Sequence, residues 1–198
     1  MRIDLDKIQS YITAKSHVLD LGCGNGDLLL HLQKKKNISG IGLENDAANI
    51  SECIKRGVNV VEHDLNKGLS HIADNSYDVV IMTLALQAMN RPDVVLEEML
   101  RIGKECIVTF PNFAHWKARW HLLTRGRMPI SDLLPYEWYN TPNIHFCTVK
   151  DFEALCDERN ITIVDSAVVC EQGASQTLAQ LHRNLFGETA VYHLSKTS

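Results

Sequence analysis

The chain has 198 residues, of which 45% are hydrophobic and 22% are charged, which is typical of a globular protein and not of a disordered one. Its formal net charge of −4 argues against a nucleic-acid binder. The mean hydropathy is −0.12, and no apolar run approaches the roughly 18 residues of a membrane span. The first residues lack the apolar core of a secretory signal, so we expect a cytoplasmic protein without a membrane partner. None of the 6 cysteines forms a C-x-x-C pair, which predicts reduced thiols and no metal site.

Strand-like and helical patterns alternate through the first half of the chain. Short apolar, β-rich runs predict strands at 17–21, 38–43, 58–61, 77–82 and 106–110. Amphipathic patterns predict helices at 27–35, 46–56 and 92–102, with Gly57 following the second and Pro92 opening the third. Alternation at this spacing is typical of right-handed βαβ units, and it predicts a parallel sheet.

The alternation stops after residue 110. Residues 112–147 contain all three tryptophans, and we interpret this segment as an insertion. Thr148 and Asp151 then form a variant capping box that opens a helix reaching about Arg159, and two late strands follow at 161–170 and 189–194. The sequence therefore predicts a single domain over residues 1–198, of the α/β class, with a Rossmann-like, doubly wound and mostly parallel seven-stranded sheet.

A glycine-rich turn joins the first strand to the first helix. Gly22, Gly24 and Gly26 would let the backbone turn sharply and approach a ligand closely. The spacing G-x-G-x-G differs from the G-x-G-x-x-G of dinucleotide sites, and Asp27 stands where their third glycine would be. Asp20 adds further negative charge before the turn. Acid at this position favours a cationic ligand such as S-adenosylmethionine, and no P-loop sequence is present.

On these motifs, residues 17–110 resemble the core of the class I S-adenosylmethionine-dependent methyltransferases. The resemblance implies that Gly22, Cys23 and Gly24 lie along the methionine moiety, with Asp20 at its amino group. Glu44 would hold the ribose hydroxyls and Asp64 the adenine amino group. The implied cofactor-binding set is Asp20, Gly22, Cys23, Gly24, Gly26, Glu44, Asn45, Asp64, Leu65, Thr83 and Leu84. Each acidic residue has a simpler alternative as a helix cap or a solvated loop charge.

The sequence does not identify a catalytic group. Residues 83–89 follow the fourth strand, where a group that orients a methyl acceptor is expected. They are apolar except for Thr83 and Gln87, and they contain no acid, histidine or tyrosine. We assign no role to His115 or His145. Whether the protein is an enzyme of the methyltransferase class, and which residues would be catalytic, stays open at this stage.

The insertion contains an aromatic stripe. Phe113, Trp116, Trp120 and Leu123 fall at i, i+3, i+7 and i+10, on one side of a helix. The formal charges between residues 112 and 131 are all basic. One interpretation buries the stripe in the core of the chain, a second makes Trp116, Arg119 and Trp120 a partner surface, and a third is a nucleic-acid patch. We expect one tryptophan in the core and the other, with Arg119, at the exposed edge.

The run from Thr109 to Arg119 also resembles the MetW family of bacterial methionine biosynthesis proteins. The segments Asp20–Gly26 and Asn140–His145 share that resemblance, which spans nearly the whole chain. It implies a methyltransferase-like protein that binds S-adenosylmethionine or S-adenosylhomocysteine and assists homoserine O-acyltransferase as an accessory, activating subunit. The alternative is an active S-adenosylmethionine-dependent methyltransferase on a small metabolite. A nucleic-acid methyltransferase is a third possibility.

Overall fold

The computed structural model describes residues 4–131, 134–170 and 176–196. Its strands are β1 (His17–Leu21), β2 (Ser39–Glu44), β3 (Val60–Glu62), β4 (Tyr77–Thr83), β5 (Gly103–Pro111), β6 (Ile161–Val169) and β7 (Thr189–Lys196). Its α-helices are α1 (Leu5–Tyr11), α2 (Asp27–Lys36), α3 (Ala47–Lys55), α4 (Pro92–Ile102), α5 (Trp116–Arg125), α6 (Val149–Glu158), α7 (Gln176–Leu181) and α8 (Arg183–Phe186).

The strands form one seven-stranded sheet in the order β3-β2-β1-β4-β5-β7-β6. The first five strands along the chain pair in parallel, whereas β7 runs antiparallel to both β5 and β6. The carboxyl ends of β1 to β5 therefore share one edge of the sheet, and the start of β7 lies at that same edge. The predicted fold class, a doubly wound and mostly parallel seven-stranded sheet, is confirmed.

Two hydrophobic clusters cover the two faces of the sheet. One cluster packs α1 and α2 on the sheet through Ile8, Ile12, Leu28, Leu29 and Leu32. The other packs α4 and α6 on the opposite face, and it includes Leu96, Met99, Phe152 and Tyr192. Because helices lie on both faces, the central strands are buried on both sides, which explains their continuous apolar runs.

The predicted helix ends agree well with the structure. Gly57 follows α3 with a φ of 74°, Pro92 is the first residue of α4, and both halves of the Thr148–Asp151 capping box are formed. The fifth strand begins at Gly103 and not at residue 106, and the other main differences lie in short elements. The third strand begins at Val60 and not at residue 58, and α1, α7 and α8 were not predicted. These three helices have at most seven residues, too few for a clear periodicity.

The segment 112–147 connects β5 to α6 and contains α5. Its start is fixed by the buried Asn112, whose side-chain amide donates to the carbonyl oxygens of Arg183, Asn184 and Gly187 at 3.4, 3.2 and 2.8 Å. Its end returns to the sheet, because the Phe113 N–H donates to the Cys147 carbonyl oxygen at 3.0 Å. Both ends of the segment are therefore anchored beside the carboxyl edge of the sheet.

The described residues contain neither a candidate membrane span nor a candidate metal cluster. Among residues 4–131, 134–170 and 176–196, no helix is long and apolar enough to cross a membrane. The same residues contain no group of three or more histidine, cysteine or acidic side chains that could hold a metal ion. The six cysteines are free, and five of them are buried.

Candidate functional site

The turn between β1 and α2 is the first part of the candidate site. Gly22, Gly24 and Gly26 have φ angles of 74°, 54° and 79°, a conformation that L side chains rarely adopt. The N–H groups of Gly22 and Cys23 both donate to the Leu43 carbonyl oxygen, at 2.8 and 3.1 Å. These bonds hold the turn against the carboxyl end of β2.

Two glycines of this turn have different surroundings. A Cβ on Gly24 would meet no atom within 4 Å, so the space beside this residue is open. A Cβ on Gly26 would lie 2.9 Å from Cγ2 of Val58 and 3.1 Å from Sγ of Cys53. Gly26 was predicted as a cofactor-binding residue, and the structure gives it a packing role between α2 and the chain around α3. Gly24 is the glycine that faces free space.

Glu44 connects the end of β2 to the glycine turn. Its carboxylate is buried, and Oε2 accepts a hydrogen bond from the Gly24 N–H at 2.8 Å. Oε1 accepts from the N–H groups of Asn45 and Asp46 at 2.8 and 2.9 Å. A carboxylate offers about four acceptor positions, so these three bonds leave one position for a ligand. The structure thus brings Glu44 and Gly24, two residues of the predicted cofactor-binding set, into contact.

Asp20 lies in β1 just before the turn, and Cys23 lies within the turn. Asp20 is 1% exposed and sits in β1 between Gly42 of β2 and Ile81 of β4. A Cβ on Gly42 would be 2.3 Å from Sγ of Cys23, so the Cys23 side chain packs against β2. Burial raises the pKa of the Cys23 thiol far above its usual range, and the charge of Asp20 raises it further. Cys23 is therefore a protonated thiol near pH 7, and its backbone N–H is bonded to the Leu43 carbonyl oxygen.

Three predicted residues follow β2 and β3. Asn45 is exposed, and its backbone N–H is bonded to Glu44. Asp64 is half-buried and caps a short 3₁₀ helix, Leu65–Lys67, by accepting from the Asn66 N–H at 3.0 Å. Leu65 is buried in the core. Asp64 therefore has the capping role that the sequence left open, at the sheet edge where the adenine contact was predicted.

The segment after β4 closes the site on the other side of β1. Thr83 is buried, and Leu84 is exposed with a φ of 53°, which is unusual for a residue with a side chain. The Leu84 N–H donates to both the carbonyl oxygen and Oγ1 of Thr109, at 2.9 and 3.2 Å. A Cβ on Gly22 would lie 3.3 Å from Cβ of Ala85, so this segment contacts the glycine turn.

Gln87 lies in the segment after β4, at the candidate site, and the sequence analysis gave it no role. It is 6% exposed, and its side-chain Nε2 donates to the Leu84 carbonyl oxygen at 2.7 Å. Its Oε1 is buried and accepts no hydrogen bond from any residue that the structure describes. The backbone carbonyl oxygen of Gln87 accepts from the N–H groups of Ile144 and His145, both at 3.0 Å. The end of segment 112–147 therefore reaches the candidate site.

Helix α5 corrects the prediction for the aromatic stripe. Trp116 and Trp120 are 44% and 61% exposed, so neither is a core residue and the expected division between them is wrong. The buried small residues are instead Ala118 within α5 and Ala114 just before it. We call the outward side of α5, formed by Trp116, Trp120 and Leu123, the aromatic face.

Arg119 is exposed, as expected, and its guanidinium group is also hydrogen-bonded within the chain. Its Nε donates to the Ala114 carbonyl oxygen at 2.6 Å, and one terminal nitrogen reaches the Asn184 carbonyl oxygen at 3.5 Å. The guanidinium group therefore connects the start of α5 to α8. Asn112 has a similar anchoring role. The sequence could not predict the roles of Asn112 and Arg119, because their partners in residues 183–187 are distant in the chain.

Comparison with solved structures defines the class of the fold. A structure of an S-adenosylmethionine-dependent methyltransferase from Mesorhizobium loti matches with a TM-score of 0.71 and 14% identity, covering 98% of this chain and 97% of that one. The plantazolicin methyltransferase BpumL in complex with S-adenosylhomocysteine matches with a TM-score of 0.67 and 15% identity, covering 98% of this chain and 83% of that one. The fold is that of the class I S-adenosylmethionine-dependent methyltransferases.

Comparison of sequences gives the family. The profile described as "Methionine biosynthesis protein MetW" matches residues 2–194, and the chain belongs to this MetW family. A curated relative, the "Bifunctional methionine biosynthesis protein MetXA/MetW" of Rhodopirellula baltica, is 35% identical over 201 residues. The alignment covers 96% of this chain and 32% of the relative, so the chain spans about a third of that protein's length.

Proposed function

We propose that the chain binds S-adenosylmethionine or S-adenosylhomocysteine at the carboxyl edge of β1 to β4, and that it acts as an accessory, activating subunit of homoserine O-acyltransferase. The observation that carries the ligand part is the pairing of Glu44 with the Gly24 N–H beside open space. A ligand with vicinal hydroxyl groups and a cationic end fits this arrangement, because Glu44 retains an acceptor position and Asp20 lies beneath the turn.

The residues that would hold the ligand follow one another along the carboxyl edge of the sheet. Glu44 would accept from ribose hydroxyls, and the backbone of Gly22 to Gly24 would lie along the amino-acid end, with Asp20 below it. Asp64 and Leu65 would border the adenine, and Thr83 and Leu84 would close the pocket next to the reacting group. S-adenosylmethionine, when bound, supplies an activated methyl group.

The ligand proposal is tested by titration calorimetry with S-adenosylhomocysteine. Glu44→Gln should bind at least tenfold more weakly than the unaltered chain, because a hydrogen bond to a charged group contributes about 1.5–3 kcal/mol. Glu158→Gln, at an exposed position of α6, is the matched control and should bind normally. Unchanged affinity in Glu44→Gln would remove this residue from the site, and no binding to the unaltered chain would overturn the ligand proposal.

The partner part rests on the relative and on the aromatic face. In the relative, a MetW component is joined to a MetXA component in one chain, which supports association with the acyltransferase that the family resemblance implies. On α5, Trp116, Trp120 and Leu123 are 44%, 61% and 79% exposed. Exposed tryptophans in a cluster are typical of interface anchors. We therefore propose the aromatic face, with Arg119 supporting it, as the surface that docks on the acyltransferase.

The docking surface is tested by pull-down and by the acylation rate with homoserine O-acyltransferase. Trp120→Ala should weaken association by about 2 kcal/mol or more, as expected for an anchor residue, while its thermal melting stays unchanged. Ile54→Ala removes an equally exposed apolar side chain from α3 and is the control. Full association and full activation by Trp120→Ala would contradict the proposal.

An active methyltransferase on a small metabolite is the second candidate, and Gln87 favours it. Its buried Oε1 is an acceptor without a donor among the described residues, and it lies on the segment after β4. Such an acceptor could orient an amine or hydroxyl group of a substrate. Transfer of tritium from labelled S-adenosylmethionine to candidate acceptors, with and without the acyltransferase, separates the two functions. Transfer that Gln87→Leu abolishes, with ligand binding retained, would favour the enzyme.

A further inference from the structure

A second cavity lies at the carboxyl edge of the sheet, beyond β5. It has a volume of about 210 Å³, and its lining includes the start of α5, residues 129–131, Leu134, and Glu188 before β7. The parts of its wall that carry the argument below are Phe113, His115, Lys117, Ala118, Ile130 and Glu188. None of the residues that we propose to bind S-adenosylmethionine lines this cavity, so the cavity is a separate site.

One end of this cavity is polar, and it combines the buried Glu188 and His115 with Lys117, whose side chain is 61% exposed. Glu188 and His115 are 5% and 6% exposed, and Nζ of Lys117 lies 3.3 Å from Oε1 of Glu188. Nε2 of His115 is 4.0 Å from the same oxygen, which is beyond hydrogen-bond distance. The His115 imidazole makes no hydrogen bond to any residue of the described ranges. The ring nitrogens of His115 are therefore open to hydrogen bonds with a ligand in the cavity that this residue lines.

The charges at this end indicate the class of ligand. Burial lowers the pKa of His115, so the imidazole is neutral near pH 7 and can both donate and accept. A ligand with only a negative charge would face the buried carboxylate of Glu188. A ligand with only a positive charge would face the Lys117 ammonium group. A small zwitterion is complementary to both.

The remaining walls and the volume limit the rest of the ligand. Phe113, Ala118 and Ile130 present apolar surface, which suits an aliphatic chain, and the polar side chains of Asn112, His121 and Ser131 also line the cavity. The volume lies below the roughly 300–1,000 Å³ of pockets that hold drug-sized ligands. The cavity is therefore suited to a molecule the size of a single amino acid and too small for a nucleotide.

We propose that this cavity binds a free α-amino acid with an aliphatic side chain. Its ammonium group contacts Glu188, its carboxylate contacts Lys117, and its side chain lies against Phe113 and Ile130. His115 supplies the additional hydrogen bond to the zwitterionic head group. The proposal does not depend on the proposed S-adenosylmethionine site, since the two sites share no residue.

The test uses L-leucine as the probe in a ¹H–¹⁵N NMR titration of the full chain. We expect saturable shifts of the Lys117 and Ala118 amide signals. Two analogues of the same chain shape serve as comparisons: 3-methylbutan-1-amine lacks the carboxylate, and 4-methylpentanoate lacks the ammonium group. Each should bind at least tenfold more weakly than L-leucine. Equal binding of either analogue, or no saturable shift at these amides, would overturn the proposal.

Two variants locate the binding within the cavity. Glu188→Gln and His115→Asn should each weaken L-leucine binding at least tenfold, while their affinity for S-adenosylhomocysteine stays as in the unaltered chain. Glu158→Gln and His145→Asn change the same residue types at exposed positions and are the controls. If Glu188→Gln fails to fold by thermal melting, His115→Asn decides alone. Undiminished L-leucine binding in His115→Asn, or its loss in Glu44→Gln, would overturn the proposal.

Discussion

Glu44 has a structural role at the site where we propose a ligand. Its bond to the Gly24 N–H holds the glycine turn, and its bonds to Asn45 and Asp46 hold the segment after β2. A ribose hydroxyl group would use the acceptor position that remains. Replacing Glu44 therefore disturbs the turn as well as the proposed ligand contact, which is why the milder change to Gln is the better test than a change to Ala.

A pair of glycine variants separates ligand contact from packing at the residue scale. Gly24→Val should abolish binding of S-adenosylhomocysteine, because the new side chain would occupy the open space beside the turn. The backbone strain of a positive φ should cost about 1–2 kcal/mol of stability, so the chain should remain folded. Thermal melting and titration calorimetry of the same sample measure both effects.

Gly26→Val is the matched comparison for that experiment. It carries the same strain and also clashes with Val58 and Cys53, so it should lower the melting temperature more than Gly24→Val does. If Gly24→Val binds the ligand normally, the turn has a structural role only. If the two variants melt at the same temperature, the packing role of Gly26 is wrong.

At the scale of elements, helix α5 is fixed by Asn112 and by small residues, and not by its aromatic side chains. Trp116→Ala and Trp120→Ala should change the free energy of unfolding far less than the about 3–5 kcal/mol that a buried tryptophan loses. Asn112→Ala should cost more than either, because it removes the amide donor to three carbonyl oxygens, of which that of Gly187 is buried. Urea denaturation of the three variants gives the order. A larger loss in both tryptophan variants than in Asn112→Ala would contradict it.

The same elements show how far the sequence can predict the structure. Strand–helix alternation and the caps at Pro92 and Thr148 are local patterns, so the sheet and most helix ends were predictable. The position of Glu44 at the carboxyl edge was predictable because parallel strands end at one edge, whereas its hydrogen bond to the Gly24 N–H was not predicted. The orientation of α5 was not predictable, since an aromatic stripe fits a core or an interface equally well. The cavity was not predictable either, because Glu188 approaches His115 only through the pairing of β7 with β5.

At the scale of the whole molecule, ion pairs between distant elements set the response to acid. The Asp93 carboxylate, bonded to Arg91 and close to Arg159, has a pKa well below its usual range, and this group connects α4 to the end of α6. The pKa of Asp165 is lowered by Lys7 of α1, although burial partly opposes this. A lowered folded-state pKa contributes stability that is present above the unfolded value near 4 and is lost as the pH falls through the folded value.

Melting curves between pH 7 and pH 3 check this prediction. The melting temperature should fall below about pH 4, and the fall should be shallower in Asp93→Asn than in the unaltered chain. Both pairs are partly exposed and screened by solvent, so we expect each to contribute modestly. An equally steep fall in Asp93→Asn would show that this carboxylate does not contribute.

His115 should add an earlier, separate response. Its pKa is lowered by burial, so the folded chain resists protonation that the unfolded chain accepts below about pH 6.5. Stability should therefore begin to decrease between pH 6.5 and pH 5, before the carboxylates titrate. His115→Asn should remove this part of the decrease in melting temperature. If the variant and the unaltered chain lose the same stability in that interval, His115 is not buried in its neutral form.

The position of β7 between β5 and β6 has a consequence for how the chain emerges during synthesis. β5 and β6 cannot complete the sheet until residues 189–196, the last strand in chain order, have been made. Until then β5 is an edge strand with unpaired backbone groups and a long apolar run, which is the kind of edge that associates with other chains. A ribosome-stalled chain ending at residue 188 would therefore be prone to aggregate, and its rescue by a synthetic β7 peptide would be a form of strand complementation.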